Sequence, residues 1–124
     1  MRFAIEGEVV HHALCHCRNC QMASGAPMVA WIAFKSADFR VTQGQAVVFN
    51  SSGASMRHFC GTCGTPVFFV NEETLPGLVD VQSVTLDDPD VFAPQAHIQT
   101  AERRKWMADL AQMPEFERFP GPPD

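Results

Sequence analysis

The chain has 124 residues, 46% of them hydrophobic, and a formal net charge of −5. A chain of this length buries roughly two-thirds of its unfolded surface, so one domain with a real core is expected. The acidic balance excludes a general phosphate-backbone binder, and no apolar run approaches the roughly 20 residues of a membrane span.

Met1-Arg2-Phe3-Ala4-Ile5-Glu6 turns polar too early for a secretion signal, so a cytoplasmic protein is expected. Residues 2–6 alternate, with Phe3 and Ile5 on one face, and read as a short strand. Gly7 ends it, and Val9-Val10 leads into His11-His12 and a first cysteine group. Ser24-Gly25-Ala26-Pro27 is a turn. Met28 to Phe34 is apolar throughout and reads as a buried strand. Ser36-Ala37-Asp38 turns into a strand at Phe39-Arg40-Val41, and Thr42-Gln43-Gly44 into another at Ala46 to Phe49. Ser51-Ser52-Gly53 precedes Met56 to Cys60. Cys60 to Gly64 makes a knuckle before a Phe-rich strand at Thr65 to Val70. Asn71 to Gly77 is a polar loop, and Leu78 to Leu86 reads as a strand. Asp87-Asp88-Pro89-Asp90 is a strong turn. Ala96-His97-Ile98 reads as a last short strand, Thr100 as the cap of a brief helix over residues 101–110, and residues 120–124 as a loose tail. Short strands separated by tight turns predict a mainly β domain. Phe34, Phe49, Phe59, Phe68 and Phe69 read as core.

The chemistry is concentrated in the cysteines. Cys15, Cys17 and Cys20 fall within six residues, and Cys60 and Cys63 complete the set of five. In a reducing compartment such clusters read as metal ligands first. Converging thiolates are soft donors suited to tetrahedral zinc at roughly 2.3 Å. Two other readings compete. Cys60-Gly61-Thr62-Cys63 has the spacing of a thiol oxidoreductase, but no βαβ pattern surrounds it. Inert buried cysteines have no reason to cluster. Five thiols cannot complete two four-cysteine sites. Either one site has four sulfurs with one spare, or two sites have three and two. A three-sulfur site with an open corner is what catalytic zinc requires.

The sequence resembles the glutathione-dependent formaldehyde-activating enzyme family, which includes the centromere protein V relatives. Cys15-His16-Cys17-Arg18-Asn19-Cys20 followed by Ser24-Gly25-Ala26 resembles its CHCxxC…SGA motif. Ser51-Ser52 followed by Arg57-His58-Phe59-Cys60-Gly61-Thr62-Cys63-Gly64 resembles its S…RxFCxxCG motif. Leu86-Asp87-Asp88-Pro89 and Pro94-Gln95-Ala96-His97-Ile98, with Trp106 beyond, are similar to later segments in the same order. The resemblance implies a mainly β, Mss4-like zinc-binding fold, one domain over residues 1–119, and two zinc sites. Cys15, Cys17 and Cys20 would hold the catalytic metal. In the family the CxxCG pair, here Cys60 and Cys63, joins an earlier CxCG pair in a structural site. That earlier pair is absent from this chain, and the match resumes in register at Arg2. Either the start codon is placed too late or the structural site has decayed; the late start is the expectation, because the match resumes in register, and upstream in-frame coding for CxCG is its test. As written, Cys60 and Cys63 form half a site, for which His11, His12 or a water are conceivable completions.

The resemblance implies carbon–sulfur lyase chemistry on a thiol–aldehyde adduct of the S-hydroxymethylglutathione class. A zinc ion held by Cys15, Cys17 and Cys20 would lower the pKa of the incoming thiol and polarise the aldehyde oxygen. Three thiolates weaken its Lewis acidity, so positioning of the thiol is expected to matter more. Glutathione carries two carboxylates, so cations are expected nearby. Arg18 and Arg57 are the candidates, against the reading that each is a solvated surface charge. Arg103, Arg104 and Lys105 read as a solvated helix face. His16 is expected to point away from the metal, as a surface or hydrogen-bonding residue. His58 and His97 read as structural, and Asp87 and Asp88 as turn residues. The partner is a small thiol such as glutathione, with no nucleic acid and no membrane. The rival functions are a non-catalytic zinc-stabilised interaction module and a redox enzyme of the methionine sulfoxide reductase type.

Overall fold

The computed structural model describes residues 1–121. Among them β1 (Arg2–Ile5) and β4 (Phe39–Gln43) pair antiparallel as a small sheet. Seven strands form the large sheet: β2 (His11–Cys15), β3 (Val29–Lys35), β5 (Ala46–Ser52), β6 (Ser55–Cys60), β7 (Pro66–Val70), β8 (Leu78–Gln82) and β9 (Ala96–Ile98). Their order is β5-β6-β7-β8-β3-β2-β9, antiparallel except where β9 runs parallel to β2. One short helix, α1 (Arg18–Ser24), follows β2. The predicted mainly β class is what the chain adopts.

Consecutive strands β5 to β8 form a meander because each connection is a local turn. Gly53 at φ 51° and Gly64 at φ 79° take left-handed conformations that suit glycine. Asn71 holds the β7–β8 loop: its Oδ1 accepts from the N–H groups of Glu73 and Thr74, at 3.0 and 3.1 Å.

Strand β3 lies between β8 and β2 and is covered on both faces, which is why residues 28–34 are apolar without alternation. Ile32 and Phe34 face a core with Val67, Phe68, Val79 and Val81. Phe3, Ile5 and Phe39 of the small sheet pack against it, and the Phe39 and Phe68 ring centroids are 4.8 Å apart. Val29 and Trp31 face a second cluster with Cys15 and Cys20.

Four expectations need correction. The strand after Leu78 stops at Gln82, its last partner on β3 being Trp31, and residues Ser83–Thr85 turn as a 3-10 helix. The helix predicted over residues 101–110 is two 3-10 pieces, Thr100–Glu102 and Lys105–Gln112, with Arg103 and Arg104 extended between them. The reason is tertiary: the Glu102 carbonyl accepts from Gln21 Nε2 and Arg104 Nη2 rather than from a helical N–H. Arg103 and Arg104 are accordingly half-buried and do not form a solvated helix face. Phe49 is 56% exposed on the edge strand β5, outside the core. Of the predicted tail, residues 122–124 lie outside the described part of the chain.

Candidate metal centre

The first cysteine group is no simple turn. Cys15 closes β2, Cys17 caps α1, and Cys20 sits in its first turn. The Cys17 Sγ accepts from the Cys20 N–H at 3.2 Å, filling the role that a short polar side chain fills at most helix starts. Gly25, at φ 71°, ends the helix, and its N–H donates to Gln21 O at 2.8 Å. The three sulfurs lie within 4.8 Å of one another, and those of Cys15 and Cys20 are 3.7 Å apart. A tetrahedron with metal–sulfur bonds of roughly 2.3 Å has edges of about 3.8 Å. Spacing and donor softness therefore both fit zinc, and this group could hold it. Cys15 and Cys20 are buried while Cys17 is half-exposed.

In the metal-free group, negative charge collects on Cys20. Its thiol is drawn down to about 5, chiefly by the bond from Cys15, then by Cys17, Trp31 and Arg57, against the opposing effect of burial. Cys15 is pushed up by the same bond and by burial, and Cys17 is pushed up chiefly by burial. A bound metal would displace the remaining protons.

Arg57 stands beside this charge. Its Nη2 and Nη1 lie 3.7 and 3.8 Å from Cys20 Sγ, and its Nε donates to Ser51 Oγ at 2.9 Å. Its guanidinium carbon lies 5.0 Å from the Phe69 ring centroid. Cys20, Trp31, Arg57 and Phe59 help line a cavity of about 240 Å³. Arg18 is placed differently: it is exposed, and its Nη1 donates to Gln21 Oε1 at 3.3 Å.

His16 is fully buried and hydrogen-bonded: its Nε2 is 2.8 Å from Nδ1 of His97. Burial first, then Arg103 and His97, disfavour its charged form. Its N–H donates to Ile98 O, and Gln21 Nε2 donates to its carbonyl at 2.6 Å. Gln21 and His97 thus anchor the cysteine loop, a role that no local sequence signal assigns them. His58 stacks on Phe68 with ring centroids 4.1 Å apart. Asp87 pairs with Arg2 at 2.8 Å on the surface.

Cys60 and Cys63 lie apart from that group, at the β6–β7 turn. Cys60 is buried and drawn down to about 7 by the N–H groups of Cys63 and Thr62 and by the Cys63 thiol. Cys63 is exposed, its Sγ 3.1 Å from Thr65 Oγ1. The pair borders a separate cavity of about 480 Å³ with Met1, Arg2 and Asp87. Among the described residues, Cys15, Cys17 and Cys20 form the one group of three possible ligands. His11 faces Asp80, and His12 Nε2 lies 2.8 Å from Ser83 Oγ, so neither histidine is turned toward Cys60 and Cys63.

None of the curated proteins compared with the chain matches it. Its fold is similar to the crystal structure of a Rhodobacter sphaeroides protein, with a TM-score of 0.59 and 19% identity over 77% of this chain and 89% of that one. The model of the glutathione-dependent formaldehyde-activating enzyme family matches residues 1–102, which include both cysteine groups and His97. With its Mss4-like β architecture and its three-sulfur group, the chain belongs to the glutathione-dependent formaldehyde-activating enzyme family.

Proposed function

We propose that this protein is a zinc-dependent carbon–sulfur lyase acting on a thiol–aldehyde adduct, with glutathione as the thiol and S-hydroxymethylglutathione as the adduct. The observation that carries the reading is the three-sulfur group with Arg57 at 3.7 Å from Cys20, in a chain of this family. Cys15, Cys17 and Cys20 hold the zinc. When bound, the metal supplies thiolate at neutral pH and polarises the aldehyde oxygen. Arg57 adds a fixed positive charge beside the metal-binding sulfur of Cys20 and orients a substrate carboxylate. Arg18, exposed at the start of α1, offers a second cation to the other carboxylate. Cys60 and Cys63 supply two ligands of a second zinc site.

The domain is residues 1–119, and the protein works in the cytoplasm on a small thiol, without nucleic acid or membrane. No helix among the described residues is long and apolar enough to cross a bilayer. The test pairs zinc analysis of the purified protein with exchange NMR of glutathione and formaldehyde. Bound zinc that Cys20→Ser removes, together with accelerated exchange in the parent protein, is expected. A protein with no metal at Cys15, Cys17 and Cys20, or one that leaves the exchange rate unchanged, would sink the reading.

A further inference from the structure

The sheet face that carries the cysteine group also carries a carboxylate with no task so far. Strand register sets Arg57 on β6, Phe69 on β7, Asp80 on β8, Ala33 on β3 and His11 on β2 in one row. Residues directly opposed in a sheet point to the same side. Arg57 ends this row beside Cys20. Asp80 lies at its centre, 7% exposed, and its Oδ1 is buried without a hydrogen-bond partner. The His11 Nε2 stands 3.8 Å from that oxygen, and the His11 side chain is 39% exposed. An unsatisfied buried carboxylate oxygen is costly, and native structures keep few of them.

The charged neighbours are few. His11 faces Asp80 from β2, and Cys20 acts on it from α1. Strand β7 offers only Phe69 and β3 offers Ala33, with Lys35 exposed two residues beyond. Burial raises the Asp80 carboxyl to about 6, with His11 lowering it and the charge on Cys20 raising it. A carboxyl in that range can both take and return a proton at neutral pH.

We propose that Asp80 is the proton acceptor and donor of the carbon–sulfur step, and that His11 positions its carboxylate. This rests on the functional reading above. In the forward direction the Asp80 carboxylate takes the proton of the substrate thiol. The freed sulfur pair forms the bond to the aldehyde carbon. The carbonyl π pair moves onto oxygen, which receives the proton back from Asp80. The proton count balances, and nothing is oxidised or reduced. Cleavage of the adduct runs the same transfers backwards.

The test uses the zinc-loaded full chain with glutathione and formaldehyde. Asp80→Asn is expected to lower kcat at least about 100-fold while zinc content and KM for glutathione stay unchanged. In wild-type protein carrying 13C-labelled aspartate, glutathione is expected to move the Asp80 carboxyl resonance toward its protonated position. His11→Ala is expected to move the Asp80 titration midpoint upward, because the His11 charge lowers it. Should Asp80→Asn not fold, the wild-type resonance and the His11→Ala titration decide. An unchanged kcat in Asp80→Asn, or an Asp80 resonance that ignores bound glutathione, overturns this assignment and leaves the functional reading standing. A wild-type protein that neither binds glutathione nor speeds adduct formation overturns both.

Discussion

Cys15-His16-Cys17-Arg18-Asn19-Cys20 straddles a strand end and a helix start, whereas Cys60-Gly61-Thr62-Cys63 turns between two paired strands. In extended chain, residues two apart share a side, which aligns Cys15 with Cys17. The first turn of α1 then folds Cys20 back over the Cys17 cap, and a third sulfur joins the group. The second segment spends its N–H groups on Cys60 itself, and Cys63 remains at the surface. Anchoring differs too. The first group is tied from afar by Ile98, His97 and Arg57, the second by neighbours such as Thr65. How many thiols converge depends on the junction they occupy, and spacing alone does not decide it.

Breaking the first group should cost the most. Cys20→Ser is expected to remove its metal and reduce adduct formation to the uncatalysed rate, read by zinc analysis and exchange NMR. Retention of both would mean that the two groups are more alike than their junctions suggest.

Removing the long-range anchor should come next. Arg57→Ala is expected to lower activity about 10- to 100-fold, the usual range for losing a group that supports a metal's ligands. Arg57 lowers the Cys20 pKa, so its removal must raise it. In metal-free protein the thiolate absorbance that develops near pH 5 should then move to higher pH. The step near pH 7 assigned to Cys60 should stay in place. Movement of both steps together would show the groups to be electrically linked.

The smallest effect on activity is expected from Cys63→Ala. Loss of the Cys63 thiol and its bond should raise the Cys60 midpoint above about 7, with the Cys20 step and the adduct-forming rate unchanged. A fall in rate comparable to that of Arg57→Ala would make the second group part of the working centre.

Much of the fold was legible because strand signals are local. Alternation at Phe3 and Ile5, the apolar run to Phe34 and the turn glycines all report short-range geometry. The five phenylalanines assigned to the core could not be told apart: Phe34 is 3% exposed and Phe49 56%, because only Phe49 lies on an edge strand. The helix predicted after Thr100 is interrupted where Gln21, 81 residues earlier, and the neighbouring Arg104 side chain take the Glu102 carbonyl. Of the two roles expected for His16, surface or hydrogen-bonding, the first is wrong, since the residue is fully buried, and the second holds through His97, 81 residues away.

From the amino-acid order alone come the donor chemistry, the β class and the family, since residue type is covalent and thiols within six positions must stay close. Tertiary structure decided what surrounds those thiols. Arg57 reaches Cys20 across 37 residues, and Asp80 joins its row with His11 through strand pairings that no short segment encodes. The physical reason is register: a slip of one residue would turn each of these side chains to the opposite face of the sheet.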